Sequence, residues 1–158
     1  MTLRKQVDRI LELLVITIMS ILVIDVLWQV ASRYLLQSPS SFTDELAGFL
    51  LIWVGMLGAA YGTGNGLHLA IDILPSKLPP QKRKILDLAI HSLVGLFALT
   101  VMVIGGTWLV YTRFYLGQIS AALELPLGYV YLAVPVSGIF IIYYSIHNTI
   151  LSFQQNTG

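Results

Sequence analysis

Cysteine is absent from the 158 residues, which excludes disulfides, thiolate nucleophiles, cysteine-ligated zinc and iron–sulfur clusters. Charge is scarce as well. Nine Lys and Arg stand against eight Asp and Glu, together 11% of the chain, where an average soluble domain carries about 25%. A net charge of +1 provides no bulk positive field to steer the chain onto nucleic acid. What is plentiful is apolar side chain, 56% of residues, with a mean hydropathy of +0.80. A domain of this size leaves roughly a third of its unfolded surface in contact with solvent, so water cannot be that solvent here. The composition implies a small integral membrane protein.

Four apolar runs cover about 11–36, 46–63, 85–111 and 127–151. About 20 helical residues cross the ~30 Å hydrocarbon core, so each run suffices; the first and third are long enough to tilt. No run alternates at period two, as a membrane barrel requires. The fold expected is therefore all-α, a single four-helix membrane domain over residues 1–158. Arg4, Lys5 and Arg9 precede the first run, and Lys77, Lys82, Arg83 and Lys84 lie between the second and third. The other two connections hold only Arg33 and Arg113. This asymmetry places both termini and the middle connection in the cytoplasm. The first run is too long for a cleaved signal, and Asp25 and Trp28 interrupt its end, so it reads as a retained span.

Punctuation between the runs is clear. Ser38-Pro39-Ser40-Ser41 reads as a turn, and Ser41-Phe42-Thr43-Asp44 as a capping box opening the second helix. Gly62 to Gly66 ends that helix, and Pro75, Pro79 and Pro80 interrupt the middle connection. Leu116-Gly117-Gln118 closes the third span, and Pro126 suits the first turn of the fourth. Pro135, inside that span, predicts a kink.

Gly48, Gly55, Ala59, Gly62 and Gly66 follow one another at spacings of seven, four, three and four, which clears one helical face of bulk. Gly58-Ala59-Ala60-Tyr61-Gly62 within it is a small-xxx-small motif that lets another helix approach closely. The face serves either a partner chain or packing within the protein's own four-helix bundle. Asp25, Gln29, Ser32 and Arg33 form a polar arc at the end of the first span. A carboxylate so placed should face protein or water and be paired, and Arg33, two turns on, is within reach. The alternative makes Asp25 the proton or sodium relay of an autonomous four-helix transporter or channel. Such carriers show more intramembrane polar groups and paired helix breaks.

Asp44 and Glu45 lie in the first turn of the second helix, where the helix dipole favours them. No pocket or third group suits them to acid–base catalysis, so no enzyme activity is expected, and contact with a partner is. Of His68, His91 and His147, the last two could ligate a haem. A second pair is missing, and Asp87 is an ordinary local partner for His91; no cofactor is expected. Trp108, Tyr111, Tyr115, Tyr129 and Tyr131 read as an aromatic belt, and no Gly-rich stretch continues into the Lys-Ser/Thr of a P-loop. An apparent repeat at an offset of 80, matching Trp28 with Trp108, Arg33 with Arg113 and Asp44 with Glu124, follows from the interfacial preferences of Trp and Arg.

Trp28-Gln29-Val30-Ala31-Ser32-Arg33-Tyr34 is followed by Thr43-Asp44-Glu45-Leu46-Ala47, then His68-Leu69-Ala70-Ile71-Asp72, then Leu125-Pro126-Leu127-Gly128-Tyr129 with Pro135 and Gly138. In order and spacing this resembles the small membrane (Q) subunit of tripartite ATP-independent periplasmic (TRAP) transporters, over about residues 11–151. Gly48 departs from the family, which often has a basic residue there. The resemblance implies a multi-pass protein of the bacterial inner membrane, surrounded by lipid and partnered by a large membrane (M) subunit. That subunit would carry an organic acid, of C4-dicarboxylate or sialic acid type, inward with sodium. A periplasmic substrate-binding protein would dock transiently. The small subunit is then a non-catalytic brace. Its expected partner interface comprises Gly48, Gly55, Ala59, Gly62, Asp25, Arg33, Asp44 and Glu45; the far-side loops offer Gln37, Ser40, Gln118 and Glu124 to the binding protein.

Overall fold

The protein is described by a computed structural model over residues 3–38, 40–65 and 80–154. Pro39, Gly66, the 68–72 motif with its histidine, Pro75, Lys77 and Pro79 lie outside the described residues. The elements are α1 (Leu3–Tyr34), α2 (Ser41–Gly64), α3 (Pro80–Phe97), a π-helical segment (Ala98–Gly105), α4 (Gly106–Tyr115), α5 (Leu127–Tyr131) and α6 (Ala133–Gln154). Four stretches are long and apolar enough to cross a membrane: Arg4–Tyr34, Ser41–Gly64, Ile85–Tyr115 and Leu127–Ile150. The fold is that of an all-α membrane protein with four spans. Among the described residues, β-pairing is confined to an isolated bridge between Ile119 and Pro126.

The helix ends differ from the apolar runs for local reasons. Helix α1 starts at Leu3, because Arg4, Lys5 and Asp8 leave the hydrocarbon without breaking a helix. The cap of α2 is Ser40, one residue earlier than the capping-box pattern suggests. Its hydroxyl accepts from the Thr43 backbone N–H at 3.4 Å, while the Thr43 hydroxyl donates to the Ser40 carbonyl at 3.0 Å. A threonine at this third position cannot reach the capping residue's own N–H as Glu or Gln would. In the fourth span the expected kink is a break at Leu132. Pro135 has no N–H to give the carbonyl four residues back, so α5 stops and α6 restarts.

The spans form an open row rather than a closed bundle. Helix α1 packs on α2, α2 on α6, and α6 on α3, the π segment and α4, which gives the spatial order first, second, fourth, third. The first and third spans have no packed interface among the described residues. Apolar surface can stay in contact with acyl chains at no hydrophobic cost, so nothing drives four spans to close around a core. In its apolar 18-residue stretch 44% of the fourth span's residues are buried, against 11–17% in the other spans, which makes it the spine of the row.

Specific packing devices hold the row together. On α1, Leu11, Leu22, Asp25 and Ser32 are buried and Val15, Ile18 and Gln29 half-buried, a seam spaced by fours and threes as in coiled coils. At the other end of α2, Arg4 donates to the Gly64 carbonyl at 2.9 Å and Asn148 to that of Thr63 at 3.3 Å, where terminal helix carbonyls want donors. Tyr144, fully buried, donates to Asp8 at 2.6 Å. It also rests on Gly64, where an added Cβ would lie 2.5 Å from its ring. The third and fourth spans cross through two more glycines. A Cβ on Gly106 would lie 3.0 Å from both Pro135 and Val134, and one on Gly138 only 2.8 Å from Met102. The π segment and the α5–α6 break thus meet where backbones approach closely.

Candidate partner interface

Helix α2 has two unlike sides. Thr43, Leu57, Ala60, Thr63 and Gly64 are buried in the row, whereas Gly48, Leu51, Gly55 and Ala59 are exposed. An added Cβ on Gly48, Gly55 or Gly58 would meet nothing within 4 Å. Among the described glycines two sets stand out. Gly64, Gly106, Gly128 and Gly138 are pressed against neighbouring side chains, and those on the open side of α2 are not. Packing within the chain therefore leaves Gly48 and Gly55 unused. Towards its end, the same side leads into a cleft of about 570 Å³ between α2 and the third span, lined by Ala59, Gly62, Leu93, Phe97, Met102 and Ile141.

The polar residues at the start of α2 have partners inside the chain. The Glu45 carboxylate accepts the backbone N–H groups of Ala121 at 3.1 Å, Ala122 at 2.7 Å and Leu123 at 3.0 Å, across 76–78 residues of sequence. Below this grip the loop closes on itself. Ser120 and Leu125 exchange two hydrogen bonds, at 2.9 Å and 3.3 Å, and the Leu127 N–H donates to the Gln118 carbonyl at 2.9 Å. Arg113 donates to the Gln118 side chain and lies 5.1 Å over the Tyr131 ring. Asp44 accepts from Gln29.

The residues expected at interfaces thus separate. Asp44 and Glu45 serve contacts within the chain, as do Ser40 at its cap and Gln118 beside Arg113. Gly48, Gly55 and Ala59 lie on the open side of α2, and Gly62, half-buried, lines the adjoining cleft with Ala59. The pairing of Asp25 with Arg33 does not form: eight helical residues separate them by about 12 Å, and Arg33 is exposed, lining a small cavity of about 180 Å³ with Gln29, Ser40, Ser41 and Asp44. Asp25 is buried on the α1 seam, its Oδ2 without a hydrogen-bond partner. Gln37 and Glu124 are exposed loop residues at positive φ, 50° and 53°. His147 lies parallel to the Tyr143 ring, and among the described residues no three His, Cys, Asp or Glu cluster as a metal site. The three-amide grip of Glu45 is not legible in the residue pattern, because no local signal links it to the loop.

The family described as "Tripartite ATP-independent periplasmic transporters, DctQ component" matches residues 22–155. A putative TRAP transporter small permease protein of Haemophilus influenzae is 29% identical over 135 residues, 85% of this chain and 82% of its own length. The C4-dicarboxylate TRAP transporter small permease protein DctQ of Rhodobacter capsulatus is 33% identical over 95 residues, 60% of this chain and 41% of that one. A sialic acid TRAP transporter permease protein, SiaT, also of Haemophilus influenzae, is 35% identical over 66 residues, 42% of this chain but only 11% of a much longer one.

Proposed function

This chain belongs to the DctQ component of the tripartite ATP-independent periplasmic transporters, and from that premise we propose that it braces the large transport subunit through the open side of α2. It is a small permease subunit, a multi-pass protein of the bacterial inner membrane. The carrying observation is the open space around Gly48 and Gly55, with nothing within 4 Å of an added Cβ on either. Without side chains in the way, a helix of the large subunit can lie against this backbone, where close van der Waals packing drives association in lipid. The match to 11% of SiaT supports the idea, because there a segment like this one is part of a longer permease chain. Both termini lie in the cytoplasm on this reading, since Arg4, Lys5, Arg9, Lys82, Arg83 and Lys84 lie at that end of the row.

Cargo is an organic acid of C4-dicarboxylate or sialic acid type, moved with sodium by the large subunit, and this chain catalyses nothing. Gly55→Leu is expected to cut co-purification of the large subunit at least about tenfold, by holding the helices apart. Undiminished co-purification would discard the interface. Gln37 and Glu124 meet the substrate-binding protein on the far side. Because the chain has no cysteine, Gln37→Cys and Glu124→Cys each introduce a unique thiol. Crosslinks to the binding protein are expected from both during transport, and silence at both positions would remove docking from the account.

A further inference from the structure

The opposite side of the row carries a second groove, between α3 and α6, with a volume of about 450 Å³. That is within the ~300–1,000 Å³ of ordinary ligand sites. Its two walls run antiparallel: Gly95 faces Ser145, whereas further along Met102 faces Gly138 and Gly106 faces Pro135. Leu96, Leu99 and Ile142 make its deeper part apolar, while His91, Ser92 and Thr149 put polar groups, beside Ile146 and Ile150, towards the start of α3. Between the two zones lies Ser145, 97% buried by its relative exposure of 3%.

Ser145 differs from the neighbouring hydroxyls that bond within their own helix. Those of Thr100, Thr107, Thr112, Ser137 and Thr149 each donate to the carbonyl four residues back. The Ser145 Oγ has no hydrogen-bond partner, and a buried donor left unpaired is costly. Something in the groove should accept from it. Beyond the polar end, the first turns of α3 hold three consecutive basic residues, Lys82, Arg83 and Lys84, at the edge of the membrane-length stretch that begins at Ile85.

We propose that this groove binds an anionic phospholipid. One acyl chain lies along Leu96, Leu99 and Ile142, the ester carbonyls accept from Ser145 and Ser92, and the phosphate sits at the level of the basic triplet. Basic residues at the membrane boundary beside a groove between spans suit this class of ligand. A zwitterionic lipid would fill the apolar part equally but gain little from three positive charges. The commitment is to lipid over a protein helix, because the polar end, the unpaired donor and the charge form a gradient that matches a lipid from tail to headgroup.

The test uses the full chain, purified in detergent and incubated with phosphatidylglycerol or phosphatidylcholine. Native mass spectrometry counts the lipids retained. Wild type is expected to keep phosphatidylglycerol at least about tenfold more tightly than phosphatidylcholine. The triple change Lys82→Gln, Arg83→Gln, Lys84→Gln should bring that ratio close to one, with the protein still folded because these positions precede the span. Ser145→Ala should weaken retention of both lipids severalfold while keeping the preference. Equal retention of both lipids by the wild type would overturn the proposal. So would a triple variant whose preference is unchanged, or a chain that carries no lipid and instead appears as a dimer.

Discussion

Gly138→Leu is expected to destabilise the isolated subunit by about 3 kcal/mol, the upper end of what overpacking costs. The Cβ alone would lie 2.8 Å from Met102 and 3.1 Å from Val103, with the Ala98 carbonyl at 3.4 Å. Two of these neighbours cannot yield easily. Met102 and Ala98 are buried in a cluster with Ala60 and Ile141, and the Ala98 oxygen is backbone within the π-helical segment. The three further carbons of leucine would have to separate the third span from the fourth, which is the spine of the row. Thermal unfolding in detergent reads the effect directly. Gly55→Leu is the matched control, the same chemical change where a Cβ meets nothing within 4 Å. It should leave the melting temperature of the isolated chain unchanged while weakening assembly. If Gly138→Leu melted with the wild type, the close crossing of the third and fourth spans would be wrong.

The second large effect is expected at Glu45. Glu45→Ala removes the acceptor for three consecutive backbone N–H groups, those of Ala121, Ala122 and Leu123. Amide exchange across 120–125 should then accelerate by roughly tenfold or more, since charge-assisted bonds are the stronger ones and local opening sets the exchange rate. Glu45→Gln, which keeps an oxygen but loses the charge, should fall in between. The four spans should remain folded in both variants, because the grip fixes a loop and not a core. Exchange at wild-type rates in Glu45→Ala would mean that the loop is held by its own bonds, those between Ser120 and Leu125 and between Gln118 and Leu127. If the loop carries Glu124 to the binding protein, crosslinking from position 124 should become less specific in the same variant.

Much of the candidate interface is legible in the residue pattern and part of it is not. Gly48, Gly55, Ala59 and Gly62 stand out as a stripe, because removing side chains from one face leaves a periodic trace. Which small residues are already covered leaves no such trace. Gly64 and Gly138 are filled by Tyr144 and Met102, residues distant in sequence, while Gly55 is open. The same holds for charge. Asp44 and Glu45 suit a helix start by the dipole alone, yet their partners, Gln29 and the 121–123 amides, come from other elements. Asp25, which its spacing offers to Arg33, lies instead on the α1 seam, since two turns of helix keep the two apart.

Four spans and their approximate limits were determined by residue order alone, because hydrocarbon demands about twenty apolar residues in succession and tolerates no unpaired backbone. Helix order in the row, by contrast, was decided only in three dimensions. In water, polarity marks which side of a helix faces out; in lipid both sides are apolar. Leu11 is completely buried and Leu13 is 56% exposed, two identical side chains two residues apart. Only the shapes that fit together, glycine against tyrosine and methionine, distinguish the side that meets protein from the side that meets lipid.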